Sequence, residues 1–122
     1  MGTGLKDLRV WIEARKLAIA VYHVNANGPL ARDFGLRDQI RRAAVSVPSN
    51  IAEGDERDTD KDSVRCFYIA KGSLAELRTQ LDIAHETGFV SAEDFTSLDA
   101  DCVAIGRMLG ALIKARTKKP TT

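Results

Sequence analysis

Apolar residues recur at helical spacing along most of the chain. Two segments carry unbroken seams in which the steps between apolar positions alternate between three and four residues. The first seam comprises Phe67, Ala70, Leu74, Leu77, Leu81 and Ala84, and the second comprises Phe95, Leu98, Cys102, Ile105, Leu109 and Leu112. Side chains at such steps share one face of an α-helix. Both segments therefore predict long helices that face a common core.

Helix-breaking and helix-capping residues divide the pattern into four helices. The predicted helices cover about residues 7–27, 36–53, 60–87 and 92–117. The pair Gly28-Pro29 cannot continue the first helix, and Gly88 is suited to end the third. Thr59 and Ser91 are typical N-cap residues for the two long helices that follow them.

The arrangement of these helices follows from the short connections between them. No segment shows the alternation of apolar and polar residues that strands require. Short connections make consecutive helices antiparallel neighbours, so the predicted fold is all-α, an up-down-up-down four-helix bundle. We expect one domain over residues 5–117, with flexible termini at residues 1–4 and 118–122.

Pro48 stands inside the second predicted helix. Proline lacks the backbone N–H that would bond the carbonyl of Ala44, and its ring crowds that carbonyl. We therefore predict that the second helix is kinked at Pro48 or loses a turn there, and that it resumes through Ile51. The side chains of Ser46, Ser49 and Asn50 are close enough in sequence to satisfy the freed backbone groups.

The first helix carries more apolar surface than one core requires. Of the 17 residues in the segment 8–24, 12 are apolar, so they surround most of the helix. An edge helix of a monomeric bundle needs an apolar stripe only about 100° wide. A second buried face predicts self-association, and the candidate subunit-interface residues are Trp11, Ile12, Ile19 and Tyr22. The alternative is that alanines and a few exposed aliphatic residues account for the excess without a partner.

Composition places the chain among folded globular proteins. Hydrophobic residues make up 44% and charged residues 29%, proportions that exclude disorder as the main state. The N-terminus is too polar for a secretory signal, and no apolar run approaches the roughly 20 residues that cross a bilayer, so we expect a cytoplasmic protein without membrane contact. Cys66 and Cys102 fall in apolar helical patterns and suit buried free thiols. A disulfide between them would require their helices to face each other closely.

Residues that could carry catalysis or bind a metal are sparse. His23 has no carboxylate at helical spacing, and His85 belongs to a single Asp-x-x-His pair with Asp82. A di-metal site in a bundle needs two Glu-x-x-His pairs, whereas His85 suits a helix C-terminus. The cysteines lack the sequence setting of a nucleophile, and the glycines form no phosphate-binding loop. We therefore predict a protein that is not an enzyme, with no catalytic residue, cofactor, metal or small-molecule substrate inferred.

Three glycines lie inside the two long predicted helices, at Gly72, Gly106 and Gly110. Each costs up to roughly 1 kcal/mol relative to alanine in a helix interior. We expect these positions to allow close approach between helices, either within the bundle or between subunits.

One basic cluster is a candidate nucleic-acid contact. Arg37, Arg41 and Arg42 lie on the second helix, and guanidinium groups bind phosphates. Because Asp38 lies among them, a solvated or salt-bridged face is the competing interpretation. In its sharper form, Arg41 or Arg42 pairs with a carboxylate across the bundle. The side chains available to such a network are Glu53, Glu76, Asp82, Asn50 and Gln80.

Three segments of the sequence are similar to one known protein family. They are LRVW (Leu8–Trp11), QIRRAAVSVPSNIAEG (Gln39–Gly54) and YIAKGSLAELRTQL (Tyr68–Leu81). On these segments the chain resembles the four-helix bundle family of 23S rRNA intervening-sequence proteins, over nearly its whole length. The resemblance implies a small bacterial protein whose family has no established biochemical activity.

The resemblance also implies an assembly. The family is similar to the accessory protein of diversity-generating retroelements, a pentameric barrel of bundles that binds nucleic acid and a reverse transcriptase. A ring-shaped homopentamer is therefore the expected oligomer. Strong positive charge is expected of a nucleic-acid scaffold, whereas the segment Asp58–Glu86 carries four basic and six acidic residues, a net charge of −2.

Two functions follow from these observations. The first is a non-enzymatic oligomeric scaffold whose surface binds another protein. The second is an accessory protein that binds RNA or DNA through copies of Arg37, Arg41 and Arg42 in the assembled ring. A net charge of +1 over the whole chain favours the first.

Overall fold

The structure is a computed structural model that describes residues 4–5 and 8–117. These residues form five helices, α1 (Arg9–Val24), α2 (Pro29–Arg32), α3 (Phe34–Asp55), α4 (Asp60–Glu86) and α5 (Ala92–Thr117). No strand occurs in the described ranges, which confirms the all-α prediction. Apart from Gly4, the termini predicted to be flexible lie outside the described residues.

The four long helices pack into a bundle. Helix α3 packs against α1 and α4, and α5 packs against the same two helices, so each long helix has two long neighbours. The short helix α2 packs against α3 and was not predicted, because its four residues are too few to show a period. The alternating up-and-down direction of the helices stays a prediction from the short connections.

The predicted N-caps of α4 and α5 are confirmed. Thr59 Oγ1 accepts a hydrogen bond from the backbone N–H of Asp62 (3.2 Å), and Ser91 Oγ accepts one from Asp94 (3.1 Å). Gly88 adopts a φ of 84° just beyond α4, a conformation that favours glycine. The backbone N–H of the next residue then bonds the Ala84 carbonyl at 2.8 Å, which closes the helix end.

The core follows the two seams that the periodicity predicts. All six positions of the α4 seam are buried, as are the central four of the α5 seam. At the ends of the α5 seam Phe95 and Leu112 are only half-buried, and Ile113 is buried in the last turn. Cys66 and Cys102 are buried free thiols, as predicted.

Helix α3 continues through Pro48 without a broken turn. A proline removes one backbone hydrogen bond, and α3 is held on both sides by α1 and α4. Asn50 Nδ2 donates to the Ser46 carbonyl (2.9 Å) and to Ser46 Oγ (3.0 Å), so Asn50 bonds the local backbone, but at a carbonyl other than that of Ala44. The prediction that the helix loses a turn was therefore wrong, and a kink at Pro48 stays a prediction.

Candidate functional site

An apolar concave surface lies between α1 and α3. Its apolar lining consists of Ala18, Ile19, Tyr22, Val45 and Pro48, and we call this surface the α1–α3 groove. Arg15 and His23 also line it, and no carboxylate does. Ile19, Tyr22 and Val45 each expose more than two-fifths of their surface, at 41%, 43% and 41%. The groove is therefore an apolar surface that the bundle itself leaves open.

The four predicted interface residues do not share one environment. Ile19 and Tyr22 are exposed in the α1–α3 groove, whereas Trp11 and Ile12 are half-buried. Trp11 packs against the hydrophobic core of its own bundle, so much of its apolar surface is already covered. Sequence reasoning missed Val45, whose signal was a branched aliphatic residue outside the apolar face of its helix.

The three guanidinium groups of the basic cluster on α3 have different surroundings. Arg37 is engaged locally: Nε donates to Asp38 Oδ1 (3.0 Å), Nη1 donates to the Ala31 carbonyl (3.1 Å), and the guanidinium lies 4.7 Å from the Phe34 ring centroid. These contacts fasten α2 to the start of α3. Arg37 therefore offers less free hydrogen-bonding capacity to a phosphate than its sequence position suggests.

Arg41 lies over an aromatic ring of the neighbouring helix. Its guanidinium carbon is 4.7 Å from the centroid of Tyr22 on α1. Arg41 Nε is buried and has no hydrogen-bond partner among the described residues. This position joins α1 to α3 through a cation–π contact.

Arg42 is exposed and faces a different concavity, between α3 and α4. This α3–α4 cleft has a volume of about 440 Å³ and is lined by Gln39, Arg42, Ala43, Ser46, Glu76 and Gln80. Five of these six side chains are polar, in contrast to the α1–α3 groove. Over the part of the chain that the structure describes, neither Arg42 nor Glu76 forms a salt bridge.

A polar network lies along the contact of α3 with α4, next to this cleft. The hydroxyl oxygens of Ser46 and Ser73 are 2.7 Å apart, and Asn50 donates to Ser46 from the following turn. Gln80 is 8% exposed, and its Oε1 has no hydrogen-bond partner within the described ranges. The cleft therefore combines a buried, unsatisfied amide with two charged side chains of opposite sign.

The predicted ion-pair network across the bundle was wrong. Glu53 pairs with Arg57 one turn later. Of the two side chains predicted to link the network, Asn50 bonds Ser46, and Gln80 Oε1 has no hydrogen-bond partner among the described residues. Two other ion pairs join different helices: Arg78 Nε on α4 donates to Asp99 Oδ1 on α5 at 2.8 Å, and Arg116 Nη2 on α5 lies 3.8 Å from Asp55 Oδ1 on α3. Glu53 and Arg57 are one helical turn apart, so their pairing needs no contact between helices.

His85, in the last turn of α4, contacts residues at and before the start of α5. Its ring is parallel to that of Phe95 with centroids 5.0 Å apart, and Nδ1 lies 3.2 Å from the Val90 carbonyl oxygen. The ring thus joins the end of α4 to the start of α5. Within residues 4–5 and 8–117, no three His, Cys, Asp or Glu side chains are grouped so as to hold a metal ion.

The pKa of the Cys102 thiol is strongly shifted. Burial raises the pKa of its thiol from the ordinary 9.0 to about 12, and the nearby Asp99 carboxylate adds to the rise. A thiol needs to ionise to act as a nucleophile. Cys102 is therefore a core residue rather than a reactive one.

Comparisons with known proteins bear on both the fold and the family. A crystal structure of a protein of unknown function from the S23 ribosomal protein family of Bacteroides thetaiotaomicron is similar, with a TM-score of 0.79 and 23% sequence identity. The similarity covers 86% of this chain and 98% of the other, and at this identity it supports the fold alone. No curated protein matches the chain.

Two further observations concern the membrane and the family. No helix in the described ranges is both long enough and apolar enough to cross a bilayer. Residues 6–111 match the family described as 23S rRNA-intervening sequence protein, which confirms the resemblance drawn from the three sequence segments. The chain is a member of the 23S rRNA-intervening sequence protein family.

Proposed function

We propose that this protein is a non-enzymatic, cytoplasmic interaction scaffold that works as a homo-oligomer. The observation that carries the proposal is the α1–α3 groove, in which Ile19, Tyr22 and Val45 remain exposed side by side. Burial of apolar surface contributes roughly 25 cal/mol per Å², so covering such a groove is favourable. Contiguous exposed apolar surface is typical of interaction sites.

A second copy of the chain is the proposed occupant. Helix α4 carries another exposed apolar pair, Tyr68 at 56% and Ile69 at 50%. Matching apolar character favours contact between the groove of one copy and α4 of the next.

Contact between two different surfaces has a consequence for symmetry. An interface of unlike patches forms a ring when the rotation between copies closes and an open filament when it does not, whereas contact between identical patches stops at a dimer. The proposed pairing of the groove with Tyr68 and Ile69 thus predicts a ring where that rotation closes. A homopentamer is the proposed size, since the similarity to the retroelement accessory protein implies that number.

Substitutions that introduce a charge on either of the two surfaces test this proposal. Ile19→Glu places a carboxylate in the groove, and Ile69→Glu places one on α4. Each variant alone is expected to sediment as a monomer at micromolar concentration, because a buried unpaired charge is costly. Mixed together, the two variants are expected to form a one-to-one dimer, since each supplies the surface that the other lacks.

The matched control is Ala104→Glu, which adds the same charge to an exposed position on α5. This variant is expected to keep the oligomeric state of the wild-type protein. A wild-type protein that sediments as a monomer would refute the scaffold proposal. A dimer that Ile19→Glu abolishes and Ile69→Glu leaves intact would instead show that two grooves face each other.

RNA binding is the second candidate function, and one observation favours it. Arg42 is exposed and forms no salt bridge with the described residues, so five copies in a ring would present five available guanidinium groups. The family description refers to 23S rRNA, although the net charge of the chain is only +1. Phosphate binding through such groups weakens steeply with added salt.

The test compares two arginines on the same helix turn. In a mobility-shift titration with 23S rRNA fragments at low salt, Arg42→Ala is expected to weaken binding and reduce its salt dependence. Arg41→Ala is the matched control and is expected to have less effect, because that guanidinium lies over Tyr22. Absence of a shift with the wild-type oligomer at low salt would exclude this function.

A further inference from the structure

Helices α4 and α5 border a further concave surface, which we call the α4–α5 groove. Its floor includes Leu74 and Ala75 from α4 and Val103 and Gly106 from α5, and its volume is about 310 Å³. The two helices are close here, since a Cβ atom on Gly106 would lie 3.5 Å from Leu74 Cδ2. Ala75 is exposed and Val103 is half-buried, so the bundle leaves part of this apolar floor uncovered.

The charged side chains that line the α4–α5 groove are all cations. Lys71 and Arg78 belong to α4 and Arg107 belongs to α5, and none of the described carboxylates lines the groove. Arg78 is already paired with Asp99, through Nε to Oδ1 at 2.8 Å and Nη2 to Oδ2 at 3.2 Å. Lys71 and Arg107 are exposed, and neither forms a salt bridge with the residues that the structure describes. Each helix therefore offers one available cation at the groove.

Two glycines of α5 indicate room for a further helix. Gly106 lines the groove, and Gly110 follows one turn later on the same side of α5. A glycine inside a helix costs up to roughly 1 kcal/mol relative to alanine. A Cβ atom on Gly110 would meet no atom within 4 Å, and one on Gly106 would make only an ordinary contact, so packing within the bundle requires neither glycine. Small residues four positions apart let the backbone of another helix approach closely.

The surroundings of the groove favour a protein partner over a nucleic acid. The neighbouring concavity, which shares Ala75 and Arg78 with the groove, is lined by the carboxylates of Asp82 and Asp99. A phosphate chain that continued along the two helices would meet these carboxylates, and it would leave the apolar floor uncovered. An amphipathic helix instead carries an apolar stripe with polar side chains on both sides of it. Carboxylates in those flanking positions would match the cations of α4 and α5.

We propose that the α4–α5 groove binds an acidic, amphipathic α-helix of another protein. Its apolar stripe covers Leu74 and Val103, it approaches α5 closely at Gly106, and its carboxylates pair with Lys71 and Arg107. This proposal rests on the interaction-scaffold function above and adds the chemistry of the partner. The α1–α3 groove remains the surface for a second copy of the chain.

Two synthetic helical peptides test the chemistry on the unmodified protein. Both carry a fluorescent label and a stripe of alanine and leucine at every third or fourth position. One has glutamate on each side of the stripe, and the other has lysine at the same positions. By fluorescence anisotropy at low salt, the glutamate peptide is expected to bind saturably. The lysine peptide is expected to bind at least about tenfold more weakly, because its charges repel the cations of the groove.

Reversal of the two available charges assigns the contact. Lys71→Glu combined with Arg107→Glu is expected to exchange the preference, so that the lysine peptide binds at least about tenfold more tightly than the glutamate peptide. Both positions are exposed, so the double variant is expected to fold. Arg32→Glu is the matched control, because it reverses the charge of an exposed residue of α2 outside the groove. It is expected to leave binding of the glutamate peptide within about twofold of the wild type.

A substitution without a change of charge tests the close approach. Gly106→Leu places a side chain where the partner helix would lie, and it is expected to weaken the glutamate peptide at least about tenfold. Circular dichroism establishes that this variant is folded before titration. If it is not folded, Gly110→Leu makes the same test at a position where a Cβ atom meets nothing within 4 Å.

Several outcomes would overturn the proposal. They are the absence of saturable binding of the glutamate peptide up to about 1 mM, equal binding of the two peptides, and a charge-reversed variant that keeps the wild-type preference. A folded glycine variant that binds as the wild type does would also overturn it. If the charge-reversed variant lost binding of 23S rRNA fragments and the wild type bound neither peptide, the cations would belong to a nucleic-acid site instead.

The assembly and this groove are read out separately. Sedimentation reports the oligomer, and anisotropy reports the peptide. Ile19→Glu is expected to be monomeric and to bind the glutamate peptide no more weakly than the wild type. A monomeric wild-type protein that binds this peptide would refute the assembly and support the α4–α5 groove, whereas an oligomer that does not bind the peptide would do the reverse.

Discussion

Phe67 of α4 occupies the space into which any side chain at Gly54 of α3 would project. A Cβ atom built on Gly54 would lie 2.6 Å from Phe67 Cε1 and 3.0 Å from the Cβ of Cys66. The same turn of α3 is fastened by Ser63, whose hydroxyl donates to the Gly54 carbonyl at 2.7 Å. The close approach of α3 and α4 therefore depends on the missing side chain at position 54.

Gly54→Ala is expected to destabilise the protein. Phe67 is fully buried, so its ring has no free space into which to move when a methyl group is added. Overpacking of this kind costs about 1–3 kcal/mol, which urea-unfolding midpoints would detect. Gly110→Ala is the control, because a Cβ there meets no atom within 4 Å. It is expected to raise stability by up to about 1 kcal/mol, and equal effects of both changes would contradict this interpretation.

Alkaline unfolding should depend on Cys102. The pKa of its thiol is raised by burial from 9.0 to about 12, so above pH 9.0 the unfolded chain releases a proton that the folded chain retains. Proton release favours the unfolded state, and the contribution of Cys102 to stability is therefore complete below pH 9.0 and decreases as the pH rises towards about 12.

The measurement is the free energy of unfolding of the wild type and of Cys102→Ala between neutral pH and pH 11. The wild type is expected to lose more stability with rising pH than the variant does. Parallel curves would show that Cys102 titrates alike in both states. At neutral pH the folded protein should also react slowly with thiol reagents, since the thiolate is scarce.

The cation–π contact between Arg41 and Tyr22 should be measurable as a coupling energy. The guanidinium lies 4.7 Å from the ring centroid, and such contacts contribute about 0.5–1 kcal/mol at partly exposed sites. We expect Arg41→Lys to be destabilising, because an ammonium group lacks the planar face that stacks on the ring. A double-mutant cycle with Tyr22→Leu isolates the contact, and Arg42→Lys serves as the control, with an effect within about 0.5 kcal/mol.

Thr59→Ala is expected to lower stability by about 1 kcal/mol. The Thr59 hydroxyl oxygen accepts from the backbone N–H of Asp62, one of the donors that the first turn of α4 leaves free. Thr79→Ala changes the same residue type inside α4, where the hydroxyl donates to the Ala75 carbonyl and alanine is a better helix former. Thermal melts should show a lower midpoint for Thr59→Ala alone.

Two local features, the N-cap at Asp33 and the short helix α2, were not predicted from the sequence. Asp33 Oδ1 accepts from the backbone N–H of Leu36 at 3.1 Å, so α3 begins at Phe34, two residues earlier than predicted. Asp33 was part of a stretch interpreted as a loop, although aspartate is a strong N-cap residue. The single turn of α2 has no period of its own, and its formation depends on packing against α3.

The mid-helix glycines show the corresponding limit at long range. Within the bundle, Gly72 and Gly110 do not lie at close helix contacts, because a Cβ at either would meet no atom within 4 Å, and Gly106 approaches Leu74 only at ordinary contact distance, 3.5 Å. Close approach at these glycines between subunits stays a prediction. Gly54 was interpreted as a helix end, and it is the glycine that a neighbouring helix approaches most closely. A glycine in a helix makes close approach of another helix possible, but the geometry at which two helices cross decides at which glycine it occurs.

The sequence by itself determined the four long helices, both apolar seams, the caps at Thr59 and Ser91 and the burial of the two cysteines. These features depend on neighbours within one or two turns, so a single periodic segment contains them. The tertiary structure alone decided that Arg41 lies over Tyr22, that Ile19 and Val45 share an open groove, and that Gln80 is buried without a donor. Each of these relationships joins residues on different helices or depends on how two helices pack, and no local pattern encodes that packing.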